Sequence, residues 1–167
     1  MMDADNHSVS RNSLVIEPAT VADCATILAL QRLAFRTEAE LYDDWALPPL
    51  VQTLEELQRE FAASLVLKAT LSGQLVGSVR ARQEQEIWCI GRLIVHPEVR
   101  CQGIGSALMR AIEAQCTSAA RFELFTGSRS TDNIRLYRQL GYQMRRRQQA
   151  GPKVELVFMD KTVGSQG

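Results

Sequence analysis

A mixed α+β domain is the fold class this sequence predicts, built on one twisted, mostly antiparallel sheet of about seven strands with helices on both faces. Three observations predict it. Short β-branched and aromatic runs are joined by glycine-containing turns, the mark of hairpins. Two amphipathic stretches, each opened by a Thr and an acid three residues apart, sit between the first such run and the rest. A strand, a glycine turn and a helix then follow one another in mid-chain, before a further strand, helix and closing hairpin.

In chain order, Leu14-Val15-Ile16 reads as a first strand that Glu17-Pro18-Ala19 ends. Thr20 and Asp23 have capping-box spacing and open a helix whose apolar face runs through Cys24, Ile27, Leu28 and Phe35, with Gln31 as its imperfection. Residues 37–49 are dense in acidic and aromatic groups and end in two prolines, so they read as a loop holding no more than a helical turn. Thr53 and Glu56 repeat the box, and Leu54, Leu57 and Phe61 make a second short amphipathic helix. Leu65 to Thr70, a turn at Ser72-Gly73 and Leu75 to Ala81 form a hairpin; Glu84-Gln85-Glu86 turns into a third strand, Ile87 to Val95. His96-Pro97 stops that strand, because proline donates to no ladder. From Gly103 onward Ile104, Ala107, Leu108, Ala111 and Ile112 recur at helical spacing. Arg121 to Phe125 is another strand, and Ser130 or Thr131 caps a last helix that Gly141 ends. Tyr142 to Gln148 and Val154 to Asp160 then pair across Ala150-Gly151-Pro152.

The 167 residues suit one domain, residues 13–163, with a polar tail over 1–12 and a short one over 164–167. Nineteen basic side chains balance nineteen acidic ones, which removes the positive field of a nucleic-acid binder. Cys24, Cys89, Cys101 and Cys116 show no CxxC pairing; they read as reduced residues of a cytoplasmic protein, with no metal site. The amino terminus carries no signal-peptide pattern, and no apolar run is long enough to cross a bilayer, so no membrane partner is expected.

The chemistry concentrates in Ile90 to Arg110, IGRLIVHPEVRCQGIGSALMR. Gly103 and Gly105 let backbone approach a ligand closely. The free amides of the following helix turn, with the positive end of its dipole, suit a phosphate or pyrophosphate. Walker A and GxGxxG patterns both fail, since Ser106-Ala107-Leu108 follows. The stretch closely resembles the acetyl-CoA signature of the GCN5-related N-acetyltransferases (GNAT), [RQ]xxGx[GA] preceded by LxVxP, with Arg100, Gly103 and Gly105 in the motif and Leu93, Val95 and Pro97 before it. Asn133 to Tyr142, NIRLYRQLGY, resembles the late helix of that family, NxxLYxxxG[FY]. The order of elements also matches from Leu14 to about Lys161.

The resemblance implies a GNAT-like fold and acetyl transfer from acetyl-CoA to a primary amine, by direct attack in a ternary complex. Amides from Cys101, Gln102, Gly103, Ile104, Gly105 and Ser106 would hold the pyrophosphate. Leu93, Ile94 and Val95 would take the pantetheine arm as an added strand, with a main-chain NH near Leu93 or Ile94 as oxyanion donor. Asn133 and Tyr137, four apart on one helix face, would flank the thioester, with Tyr137 as the acid for the thiolate. The base is less well marked. Where relatives place a glutamate, this chain has Cys89, so Glu86 acting through water is the catalytic candidate. Glu38, Glu40, Tyr42 and Trp45, with Asp43 and Asp44, line the acceptor side by resemblance and favour a cationic amine with some apolar body. The bland alternative for each acid is a solvated surface carboxylate. A small-molecule amine is the expected acceptor; a protein amino terminus or lysine, and a non-catalytic CoA-binding sensor, are the rival readings. An exposed strand near the carboxyl end is compatible with a homodimer.

Overall fold

The computed structural model describes residues 13–164; the expected tail 1–12, which holds His7, and residues 165–167 lie outside them. Strand β1 (Leu14–Pro18) is followed by a 3-10 turn (Val21–Asp23) and then by helices α1 (Cys24–Ala34), α2 (Arg36–Tyr42), α3 (Pro48–Val51) and α4 (Leu54–Ala63). The meander comprises β2 (Leu65–Leu71), β3 (Gln74–Glu84) and β4 (Ile87–Val95). A 3-10 turn (Pro97–Val99) leads to α5 (Ile104–Gln115), β5 (Arg121–Gly127), α6 (Thr131–Gln139), β6 (Gln143–Gln149) and β7 (Glu155–Thr162).

These strands form one seven-stranded sheet in the order β1-β2-β3-β4-β5-β7-β6. The last strand returns between β5 and β6, and every neighbouring pair is antiparallel except β4 and β5. That pair runs parallel because α5 is a crossover, and it is short. Only Ile87, Trp88 and Cys89 pair, opposite Arg121, Phe122 and Glu123. From Ile90 onward the two strands part, and the sheet carries a wedge-shaped gap.

Packing explains which helix covers which face. The α5 stripe Ile104, Leu108, Met109 and Ile112 is at most 3% exposed and meets Leu67, Val79, Phe122, Leu124, Val157 and Met159. Each such side chain contributes about 1.5–3 kcal/mol through burial. The opposite face is covered by Cys24, Ile27 and Leu28 of α1 and Leu57 of α4, but only above the first half of the sheet. Both predicted capping boxes form: Thr20 N–H donates to Asp23 at 2.8 Å, and Thr53 and Glu56 bond reciprocally at 2.8 and 3.2 Å.

The chain departs from its sequence reading in three places. Residues 36–42 are helical rather than loop, since Glu38, Ala39, Glu40 and Leu41 are all good helix formers and Asp43, at φ 51°, supplies a left-handed stop. Gln31, the blemish on the first helix, is fully buried and hydrogen bonded to Pro49 O and Gln52 Oε1, each at 2.9 Å. A bulge interrupts β4, where Val79 lies opposite both Arg92 and Leu93, and Arg92 takes φ 52°. A non-glycine residue held there costs about 1–3 kcal/mol.

Gly77 passes directly under α5. A Cβ at that position would stand 2.8 Å from Leu108 Cδ1 and 3.0 Å from Ile94 O, whereas one at Gly91 would meet nothing within 4 Å. Chemical denaturation should therefore show Gly77→Ala destabilised by about 1–3 kcal/mol, and Gly91→Ala within about 0.5 kcal/mol of wild type or above it.

Candidate active site

The glycine loop forms at the end of β4. His96 accepts from Glu98 N–H at 3.1 Å and so opens the short 3-10 turn, a turn role rather than a basic one. Cys101 at φ 64° and Gly103 at φ 83° then place two left-handed residues just ahead of α5, a backbone path that glycine follows without strain and cysteine does not. Cys101, Gln102 and Gly103 are exposed, so the amide edge of the α5 start is open to an anion. Arg100 anchors the loop from behind, donating to Ala34 O and Thr37 Oγ1, both at 2.9 Å. Because β5 pairs with β4 no further than Cys89, the β5-facing edge at Leu93, Ile94 and Val95 has no neighbouring strand. An extended amide-bearing chain ending in a pyrophosphate therefore fits this edge and loop, pairing as a strand would.

Groups from both faces of the sheet meet at the gap. Helix α2 crosses it on one side, and the α6 amino terminus approaches from the other. Glu38 of α2 accepts from Ser130 Oγ–H at 3.0 Å and from Asn133 Nδ2 at 3.2 Å. Asn133 also reaches Thr126 Oγ1 at 3.4 Å. Tyr42, one turn further along α2, accepts from Arg129 N–H at 2.9 Å and lies 2.9 Å from Ser130 Oγ. Since Ser130 gives its proton to Glu38, Tyr42 must give its own to Ser130, and the chain of donors runs one way, toward the carboxylate. Burial pushes the Glu38 carboxyl up from its ordinary value, against the lowering pull of Ser130 and Arg100. Tyr137 is 7% exposed and its ring packs 6.0 Å from that of Tyr142. Burial first, and the nearby Glu38 charge second, push its phenol well above the ordinary range, so Tyr137 keeps its proton.

The sequence profile described as "Acetyltransferase (GNAT) family" matches residues 26–142. The chain belongs to that family. Protein YqkA of Bacillus subtilis is 29% identical over 125 residues, covering 75% of this chain and 35% of that protein, so the chain spans about a third of the length of the curated relative it matches. Among solved structures, PaiA N-acetyltransferase of Thermoplasma acidophilum with coenzyme A superposes at TM-score 0.75 and 17% identity, covering 90% of this chain and 99% of that one. The ribosomal-protein-S18-alanine N-acetyltransferase of Escherichia coli gives TM-score 0.73 and 16% identity over 92% and 96% of the two chains. Phosphinothricin acetyltransferase of Sinorhizobium meliloti with acetyl-CoA gives 0.72 and 20% over 91% and 89%. The last two are named for quite different acceptors on one fold.

Glu86 is exposed in the turn between β3 and β4, at the end of β4 opposite the glycine loop, roughly 30 Å away along the strand. Glu40 and Trp45 are exposed, while Tyr42 is 4% exposed and committed to the donor chain. The four carboxylates of residues 38–44 do not act together: Asp43 lies 3.9 Å from Lys153, and Asp44 accepts from Ala46 N–H at 3.0 Å. Arg145 and Arg147 pair with Asp160 and Glu155, and Arg146 covers the Phe158 ring, on an edge strand whose charge resists strand addition. Among the four free cysteines, Cys24 and Cys116 are buried and Cys101 is exposed. No helix of the described residues is long and apolar enough to cross a membrane.

Sequence reading missed Thr126, Gly127 and Ser130 as site residues. The usable signal was the four-residue spacing of Glu38 and Tyr42, which places both on one face once residues 36–42 are seen as helix. Gly127 makes room for Tyr42, whose hydroxyl would lie 1.9 Å from an added Cβ. Gly127→Ala should therefore expel the Tyr42 ring, break the donor chain, lower thermal stability and raise amide exchange across residues 36–45. Tyr42→Phe should keep the packing and lose only about 1 kcal/mol.

Proposed function

We propose that this GNAT protein transfers the acetyl group of acetyl-CoA to a primary amine on a small molecule, by direct attack in a ternary complex. The observation that carries the reading is the hydrogen bond between Glu38 of α2 and Asn133 of α6, one turn before Tyr137, across the gap between β4 and β5 beside the open glycine loop. Amides from Cys101 to Ser106 hold the pyrophosphate at the α5 start. The free edge at Leu93, Ile94 and Val95 holds the pantetheine arm, and a main-chain NH at the bulge serves the oxyanion. Acetyl-CoA supplies an activated acyl group; this chain supplies position and proton traffic.

Glu38 is the base in this reading, in place of the distant Glu86. A half-buried carboxylate with a raised pKa takes a proton from an ammonium more readily than a solvated one. Asn133 and Ser130 hold it in place. Tyr137, whose hydroxyl has no hydrogen-bond partner among the described residues, returns a proton to the leaving thiolate. The site mouth supports a small acceptor: Lys153, in the β6–β7 connection, donates to Asp43 O at 2.7 Å and so bridges the hairpin tip to the end of α2. A protein chain would need that bridge open.

Thiol release from acetyl-CoA against a panel of amines, amino acids and short peptides, with calorimetric titration of acetyl-CoA alongside, tests the whole reading. Absence of acetyl-CoA binding would sink it. Turnover with peptides alone would move the acceptor to protein. Glu38→Gln should lower kcat by about 10²–10⁴-fold while leaving acetyl-CoA affinity within a few-fold. The wild-type rate should rise with pH as Glu38 ionises, on a limb above the ordinary carboxylate range, and the variant should lack that limb. Tyr137→Phe should lower kcat with cofactor affinity retained; a non-catalytic sensor would show no such loss.

A further inference from the structure

On the face opposite α5, the bulge turns Arg92 toward a buried polar cluster. Arg80, 4% exposed, lies 3.1 Å from Glu60 and within 3.3 and 3.4 Å of Gln31 and Gln52. Arg92 stands near enough to repel Arg80, and Glu60 is the carboxylate whose attraction opposes the burial of both. Two guanidinium groups thus share one half-exposed acid. Arg92 Nε is buried with no hydrogen-bond partner, and no ion pair engages its guanidinium among the described residues. Leaving a charged donor unsatisfied is costly, so the arrangement suits a ligand that completes it.

The surroundings define that ligand. Gly91, which faces Arg80 across the β3–β4 ladder, is exposed, and a Cβ there would meet nothing within 4 Å, so open space adjoins the two arginines. Cys89 pairs with Glu123, so two residues further on Gly91 and Phe125 share this same face on either side of the gap. Phe125 is 52% exposed and its ring lies 5.4 Å from that of Phe158. The unpartnered Arg92 Nε is therefore one residue from Leu93, near the proposed oxyanion donor, and the exposed Phe125 ring lies across the gap.

We infer that the acceptor is an α-amino acid with an apolar side chain, its carboxylate held by Arg92 at the β4 bulge and its side chain resting on the exposed Phe125 ring. This rests on the acetyl-transfer reading above and replaces the cationic acceptor suggested by the acids of residues 38–44. A guanidinium fork matches a carboxylate in two parallel hydrogen bonds. The carboxylate would also neutralise the repulsion between Arg80 and Arg92.

The test compares L-leucine with L-leucinamide, and L-methionine with L-methioninamide, in the thiol-release assay on the full chain. Wild type should prefer each free acid by about tenfold or more in kcat/KM. Arg92→Asn keeps a residue that tolerates φ 52° while removing the guanidinium. It should abolish the preference, chiefly by raising KM, with acetyl-CoA affinity unchanged and a melting temperature at or above wild type. Arg92→Lys should fall between. Equal use of acid and amide by wild type, or a lowered melting temperature with the preference intact in Arg92→Asn, overturns the inference and leaves Arg92 a structural role. Failure of leucine and methionine both to react and to bind the CoA-loaded protein calorimetrically also overturns it, while intact acetyl-CoA binding keeps the parent reading standing.

Discussion

The whole arrangement depends on how little of β4 is paired with β5. Three residue pairs hold the two strands together before they diverge. A fully zipped parallel pair would satisfy the main chain of Ile90 to Val95 and leave nothing for a ligand to bond. It would also wall α2 off from α6, since side chains on opposite faces of a continuous sheet cannot touch. The gap lets Glu38 on one face and Asn133 on the other share a hydrogen bond at 3.2 Å. A topological feature, the crossover through α5, thus becomes a chemical one.

Local stability is concentrated away from this gap. Leu108, Met109 and Ile112 are fully buried against the meander, and the β3–β4 ladder is long and antiparallel. Around the gap, polar groups replace apolar ones: Ser130, Thr126, Gln31, Gln52 and Arg80 are all under 10% exposed. Burial pushes the Arg80 guanidinium down to about 10, opposed by Glu60 and reinforced by Arg92. Replacing such a group by well-packed apolar residues is often neutral or stabilising, so its presence argues for a task beyond holding the fold. The strained φ of Arg92 belongs to the same pattern, because backbone strain of that kind persists only where its surroundings over-determine it.

Sequence carried the architecture further than it carried the site. Hairpins, capping boxes and the glycine loop are local signals: each is set by a few adjacent residues, and Thr53-Glu56 or Gly103-Gly105 can be read without their neighbours in space. Asn133 and Tyr137 were legible for the same reason, as a motif on one helix. Glu38 as the proposed base was not, because it is held by Ser130 and Asn133, 92 and 95 positions away, and because residues 37–49 look like loop when acids, aromatics and prolines are counted together. Glu86 shows the converse. It stands close in sequence to the motif strand, yet a strand is straight, and nine residues of it carry Glu86 to the far end of the sheet.

Main chain and side chain divide the work at the gap, and the division says where specificity resides. In the proposed reading, loop amides and a free strand edge hold a ligand by its phosphates and amides, through main-chain groups that every residue type but proline provides. That part tolerates wide sequence change, which is consistent with the fold this chain shares, at 16 and 20% identity, with two proteins named for different acceptors. In the proposed reading, what lies beyond the thioester is met by side chains: Glu38, Tyr137, Arg92 and Phe125. Of these, Glu38 and Tyr137 are the proposed proton carriers, and in that role both would serve any amine. Arg92 and Phe125 are spent on the fold less fully, since Arg92 Nε has no hydrogen-bond partner among the described residues at a strained position, and Phe125 is an exposed ring. Groups that the fold uses less fully and the chemistry does not require are the ones free to select a substrate.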